Sequence, residues 1–526
     1  MRKQQLYIGG EWIEGASWKT LYSPYSGEPL AEIAVAEEEH VEAAIASAEK
    51  AYALTRRMPA HERSAILSKV VDLLHHRQEE AAALIAREAA KPMKAARAEV
   101  KRTIETYRFA AEEARRIQGE SLPMDAAPGG EGRVAYTVRE PVGVLGAITP
   151  FNFPMNLVAH KLGPALAAGN TVVLKPAGQT PLSAYFIAEL FEEAGLPKGA
   201  LNVVSGSGKT IGDLLVSDER VKHITFTGSP GVGKGIREKA GLKGVTLELG
   251  SNSAVIVDKN LDNLDVVAER IAHGSFSYQG QVCISVQRIY VHESAASSFI
   301  ELLREKTEAL VTGDPLDAAT DVSALISEED TSRVLEWIEE AVHEGAELIT
   351  GGEVSQRVLA PTIMTHVPHS AKLSSQEVFG PVVVIHEVSS IDEAIEKVND
   401  SVYGLQAGIY TNHIQHALKA ADLLEVGGVI INDIPTFRLD HMPYGGVKQS
   451  GYGREGIKYA IEAMTELEAC CHEPWYIEAP NKIAGRGETI HALLFVLKDY
   501  IQQSTAVLPV CSRISPGTPD PLRRNG

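Results

Sequence analysis

Val142-Gly143-Val144-Leu145-Gly146-Ala147-Ile148-Thr149-Pro150-Phe151-Asn152-Phe153-Pro154 begins the part of the chain that decides the fold. It continues through a helical stretch, Met155–Ala168, to Thr171-Val172-Val173-Leu174-Lys175-Pro176. Two short apolar runs separated by one amphipathic stretch read as strand, helix, parallel strand. The pattern repeats outward. Strands are expected at Leu201–Ser205, His223–Phe226 and Val245–Leu249. A second series follows: Ala254–Val257, a helix to about Phe276, Arg288–His292, a helix over 296–310, Val382–His386 and Gly428–Asn432. Upstream lie short strands over 6–35, then helices over Val41–Ala53, Ala60–Glu88 and Ala95–Arg116, and a Pro/Gly-rich break at Leu122–Gly132. Strands alternating with helices predict an α/β fold with parallel, doubly wound sheets.

The length, 526 residues, allows two to four domains. The net charge is −19, from 50 Lys and Arg against 69 Asp and Glu. An acidic surface repels phosphate backbones, so nucleic acid is not expected as a partner. Four cysteines make no disulfide framework. No apolar run is long enough to span a membrane and no signal peptide is evident, so the expected location is the cytoplasm.

Chemistry-bearing residues gather at the predicted strand ends. Glu248 closes an apolar strand, where burial would raise its pKa and suit it as a general base; a salt-bridged rim glutamate is the alternative. Asn152 follows Val142–Ile148 and offers two uncharged N–H donors for an oxyanion, or caps a helix. Lys175 ends the next strand. Ser205-Gly206-Ser207-Gly208-Lys209-Thr210 suggests a phosphate loop, although Val203 stands where the full P-loop pattern needs glycine. Gly228-Ser229-Pro230-Gly231-Val232-Gly233 leads from a strand into a helix, a place for an anion. Cys283, in Gly280-Gln281-Val282-Cys283, is either a small buried side chain or a nucleophile with a lowered pKa. In open α/β sheets the carboxyl ends of the strands form the ligand crevice, so a shared rim is expected for Asn152, Lys175, Gly208, Gly228, Ser229 and Glu248.

Seven segments carry a family resemblance. They are Pro150-Phe151-Asn152-Phe153-Pro154, Leu174-Lys175-Pro176-Ala177, Phe226-Thr227-Gly228-Ser229, Leu247-Glu248-Leu249-Gly250, Gly280-Gln281-Val282-Cys283, Glu377-Val378-Phe379-Gly380-Pro381 and Pro443-Tyr444-Gly445-Gly446-Val447-Lys448-Gln449-Ser450-Gly451. In order and spacing, over about residues 5–470, the chain resembles the NAD(P)-dependent aldehyde dehydrogenase superfamily. Ser251-Asn252-Ser253 is most similar to the lactaldehyde and non-phosphorylating glyceraldehyde-phosphate dehydrogenase branch. That branch's phosphate-binding members often carry Arg just before the nucleophile, where this chain has Val282.

The resemblance implies oxidation of an aldehyde to a carboxylic acid through a Cys283 thiohemiacetal and thioacyl-enzyme. Asn152 would hold the oxyanion and Glu248 would activate water. Lys175, Gly178, Gly208, Gly228, Ser229, Gly233, Glu377 and Phe379 would bind the cofactor, NAD or NADP. Many NAD-preferring members carry a carboxylate where Gly178 stands, so NADP is expected to be accepted. Arg438, Asp440 and His441 are expected at the substrate mouth, and no metal is expected. A CoA-acylating enzyme is the rival that Glu248 disfavours; a non-catalytic dehydrogenase-like structural protein is the other. The implied organisation is a dinucleotide-binding domain (1–122 and 142–250), a catalytic domain (251–446), a β bridging element for oligomerisation (123–141 and 447–472) and an atypical C-terminal extension (473–526). A homodimer or homotetramer is expected.

Overall fold

The computed structural model describes residues 2–473; the extension beyond, with Cys511 and the apolar run 491–501, lies outside the described residues. The described chain forms two compact units, one of residues 1–121 and 136–470 and one of 122–135 with residues from 471 onward. The smaller unit contains a single 3-10 turn, Met124–Ala126, among its described residues.

The deciding stretch folds as expected. Val144–Ile148 and Thr171–Lys175 are parallel neighbours, joined by the helix Asn156–Ala168. Both strands are apolar and buried almost throughout, as a sheet covered on both faces requires. Gly169 ends the helix at φ 95°, a left-handed conformation that glycine adopts without penalty. Asn170 then ties the turn: its amide donates to Ala165 O and Met464 O, and its oxygen accepts from Gly143 N.

The first sheet has eight strands. Its order is Gly451–Tyr452, Gly244–Glu248, Val221–Thr227, Val144–Ile148, Thr171–Lys175, Leu201–Val203, Leu6–Ile8 and Glu11–Ile13. The five central strands are parallel. Chain order reverses between Val144–Ile148 and Val221–Thr227, so the loops after these two strands diverge and open a crevice. The second sheet has seven strands centred on Arg288–His292, with Ala254–Val257 beside it and Gln406–Tyr410 next. Val134–Pro141 and Thr465–His472 are further strands.

The long helix expected over Ala60–Glu88 is two helices, Ala60–His76 and Gln78–Ala89. They break at Arg77, whose backbone leaves the helical region (φ −103°, ψ 19°) and whose guanidinium forks onto Glu80. Strands Thr362–Thr365 and Gln406–Tyr410 are additional to those expected from the sequence pattern.

Candidate active site

One cavity of about 1330 Å³ dominates the larger unit. Asn152, Lys175, Gly208, Gly228, Ser229, Glu248, Cys283, Glu377, Phe379 and Arg438 all line it. Residues 131 apart in sequence, Asn152 and Cys283, thus share one wall because both loops leave strand or helix ends at the same rim.

Cys283 follows a strained turn. Tyr278, Gln279 and Gly280 have φ of 50°, 54° and 70°. Two consecutive non-glycine residues in the left-handed region cost of order 1–3 kcal/mol each, so other contacts must hold them. The Gln279 amide donates to Ala90 O and Ala324 O, and the Tyr278 hydroxyl to Ala89 O. At Gly280 a Cβ would fall 2.1 Å from Gly380 O, so the close approach itself demands glycine. The turn delivers Gln281 O to the Asn152 amide, 2.9 Å away. One Asn152 N–H is used there. The Asn152 backbone oxygen accepts from Lys91 Nζ at 2.6 Å, and Lys91 also pairs with Glu99 inside the protein.

Burial pushes the Cys283 thiol up to about 11, while the Tyr444 hydroxyl and Arg438 pull it the other way. Glu248 is buried, and neither carboxyl oxygen has a hydrogen-bond partner among the described residues. Burial, then repulsion from Glu455, holds its pKa well above the ordinary carboxylate value. Glu455 stays ionised because Lys161 and Arg438 each contact it at 3.1 Å. Glu248 therefore binds its proton more tightly than Glu455 does.

The far end of the cavity fits a dinucleotide phosphate. Ser229 precedes the helix Pro230–Ala240, and Ser229 and Val232, at the helix's N-terminal end, line the wall. An added Cβ at Gly208, Gly231 or Gly235 would meet nothing within 4 Å, so a ligand can lie against this backbone. Lys175 is buried, and burial lowers its pKa; its ammonium has only a long 3.4 Å contact to Pro176 O. Lys209 lines the same end, a residue whose role the sequence reading did not isolate. Burial raises Glu377 to about 7, and the carboxylate accepts from Ser251 N at 2.9 Å. The Phe379 ring stands edge-on to Phe151, 5.7 Å between centroids.

Four expected residues stand outside this wall. Gly178 is exposed between Ala177 and Gln179, which do line it. Gly233 is a packing position, where a Cβ would lie 2.5 Å from Leu249. Asp440 is buried in a network with Arg102 and His160; burial opposes its charge, but those two partners hold the carboxyl well below its usual range. His441 rests against the Phe109 ring. Of the three residues expected at the substrate mouth, Arg438 alone reaches the wall.

The aldehyde dehydrogenase family model matches residues 12–470, nearly all of the described chain. The chain belongs to the aldehyde dehydrogenase family. Its reaction class is the NAD(P)-dependent oxidation of aldehydes. A 3-sulfolactaldehyde dehydrogenase of Priestia aryabhattai is 53% identical over 466 residues, covering 89% of this chain and 97% of that enzyme. A lactaldehyde dehydrogenase of Methanocaldococcus jannaschii is 42% identical over 467 residues, covering 88% and 99%. A solved NADP-dependent glyceraldehyde-3-phosphate dehydrogenase of Bacillus halodurans, complexed with NADP, is 38% identical with a TM-score of 0.88, covering 90% of this chain and 100% of that one. These relatives bear out the branch that Ser251-Asn252-Ser253 suggested. Lys161 is the lone lysine of the helix Asn156–Ala168, every residue of which is buried, and its ammonium contacts Glu455.

Proposed function

We propose that this aldehyde dehydrogenase oxidises a short 2-hydroxyaldehyde carrying a sulfonate, of the 3-sulfolactaldehyde type, with NADP as the preferred cofactor. The observation that carries the substrate is Arg438. Its guanidinium is buried at the Cys283 end of the cavity, and its Nε has no hydrogen-bond partner. Arg102 lines the same end. Two guanidinium cations on the wall of one cavity attract an anionic substrate group. The identity to the sulfolactaldehyde enzymes supports the same choice.

In this reading Cys283 attacks the aldehyde carbon as thiolate, and its proton leaves to solvent. The Asn152 amide and the Cys283 backbone N–H receive the developing oxyanion. Bound NADP supplies the hydride acceptor. Glu248 then takes a proton from water, which attacks the thioester and releases the acid. Lys175 and Lys209 would hold the adenosine end, Gly208, Gly228 and Ser229 the pyrophosphate, and Glu377 with Phe379 the nicotinamide side. Gly178 places no carboxylate near a ribose phosphate.

The two sheets support a division into cofactor and catalytic domains near Gly250. Dimer or tetramer assembly is supported by the strand Gly428–Ile431, a sheet edge with Ile431 exposed, and by exposed Ile414 and Leu418 nearby in sequence. Such an edge favours pairing with another chain.

The test is initial rates with 3-sulfolactaldehyde, glyceraldehyde 3-phosphate and lactaldehyde, each with NADP and NAD. Highest kcat/KM for the sulfonate is expected. Equal values for the sulfonate and uncharged lactaldehyde would refute the anion reading.

A further inference from the structure

Tyr444 brings its hydroxyl to the reacting sulfur. Its Oη lies 2.9 Å from Cys283 Sγ, although 161 residues separate the two. The ring is buried and cannot drift. Its backbone is locked to Glu455 in both directions, Tyr444 N to Glu455 O at 3.0 Å and Glu455 N to Tyr444 O at 2.7 Å. The Arg438 guanidinium stacks on the ring, 3.7 Å from its centroid. None of the steps above uses this hydroxyl.

Resting on the assignment of Cys283 as nucleophile, we propose that Tyr444 is a further catalytic residue. Its hydroxyl donates a hydrogen bond to the Cys283 thiolate, and the Arg438 cation on the ring face strengthens that donor. A buried thiolate needs such a partner, because burial otherwise favours the neutral thiol. The groups that face the sulfur divide by sign. Glu248 at the end of its strand and Glu377 from the loop before Val378 disfavour the thiolate; Tyr444 and Arg438 favour it. The phenol keeps its own proton: burial, then the sulfur's charge, hold it well above the usual tyrosine value. The pair is therefore a thiolate accepting from a phenol, with no phenolate at neutral pH. A cation on the π face draws electron density from the ring and sharpens the O–H dipole.

Magnitude decides whether this helps. Lowering a thiol pKa by one unit raises the thiolate population about tenfold, while intrinsic nucleophilicity falls only about threefold. Below the pKa the balance is a gain of about threefold. A hydrogen bond to a buried charge is strong enough to supply at least about one unit. As the sulfur bonds to the aldehyde carbon, charge moves toward Asn152 and the Tyr444 bond weakens. The hydroxyl thus acts on the attacking state and not on the leaving oxygen.

The test follows alkylation of Cys283 by iodoacetamide as a function of pH in the full-length enzyme. Mass spectrometry identifies the labelled peptide, so Cys470, Cys471 and Cys511 do not contribute. In Tyr444→Phe the rising limb is expected to move up by about one pH unit, with a neutral-pH rate about threefold lower. A ring-fluorinated tyrosine at position 444, a stronger donor of nearly the same shape, is expected to move it down. Superimposable profiles for wild type and the phenylalanine variant, or a shift of both variants in the same direction, would overturn the proposal. If Tyr444→Phe does not fold, the fluorinated enzyme decides alone, by a downward shift or none. Cys283→Ala separates the two assignments: dehydrogenase turnover retained in that variant removes Cys283 as nucleophile, whereas an unshifted alkylation profile removes only the hydrogen bond.

Discussion

Replacing Glu248 by glutamine removes the proton acceptor while keeping the side chain's shape. The effect should differ between the two halves of the reaction. Attack by Cys283 and hydride loss need no water, so one equivalent of NADPH per site should still appear in a burst. Hydrolysis of the thioester needs a base, and losing one costs about 10²- to 10⁴-fold. The structure adds a pH dependence. Glu248 is buried with both oxygens unpartnered among the described residues, and Glu455 repels its charge, so its folded pKa lies well above the free value. The carboxylate that acts as base is thus scarcer than in a free glutamate, and gains about tenfold per pH unit until the raised pKa is reached. Wild-type steady-state turnover should therefore rise with pH through the raised Glu248 pKa, displaced upward from the ordinary carboxylate range. The glutamine variant should lose that limb. Glu455→Gln, which removes the repelling charge, should move the limb to lower pH. Stopped-flow NADPH formation gives burst and steady state in one trace. A variant whose burst also vanishes would mean that Glu248 activates the thiol, and a flat wild-type profile would mean that it is not the base.

Gly178→Glu adds a carboxylate in open space at the adenosine end. It should swing the ratio of kcat/KM for NADP over NAD toward NAD by about fivefold to tenfold, the effect of ~1 kcal/mol at a partly solvated rim; an unchanged ratio in cofactor titrations would exclude Gly178 from cofactor choice. Lys91→Met leaves the Glu99 carboxylate buried without its cation. It should lower stability to urea by about 3–5 kcal/mol, and adding Glu99→Gln should restore most of that loss. A double variant no more stable than Lys91→Met would show that the pair is not the source.

How much of the site could be read in advance follows from how local its causes are. Glu248, Lys175 and Asn152 were legible because an apolar run of four to seven residues fixes where a parallel strand ends, and the next residue must fall at the rim. Cys283 was legible through its glycine turn and the family motif around it. Gly178 and Gly233 were matched by motif, yet neither reaches the cavity wall: a motif position carries a backbone requirement as readily as a contact. Asp440 and His441 look like ligands in a polar loop, but Arg102, His160 and Phe109 claim them from other elements.

The sequence by itself determined the fold class, the family, and which side chains stand at strand ends, because all three depend on patterns within a few residues. Tertiary structure alone decided protonation and pairing. Lys161 and Arg438 meet at Glu455 from positions 277 residues apart and hold it ionised, and that charge, with burial, raises the pKa of Glu248. Lys91 reaches Asn152 through the interior, and Tyr444 reaches Cys283 across the cavity. Burial and charge are sums over neighbours from every element, and no local window of residues contains them.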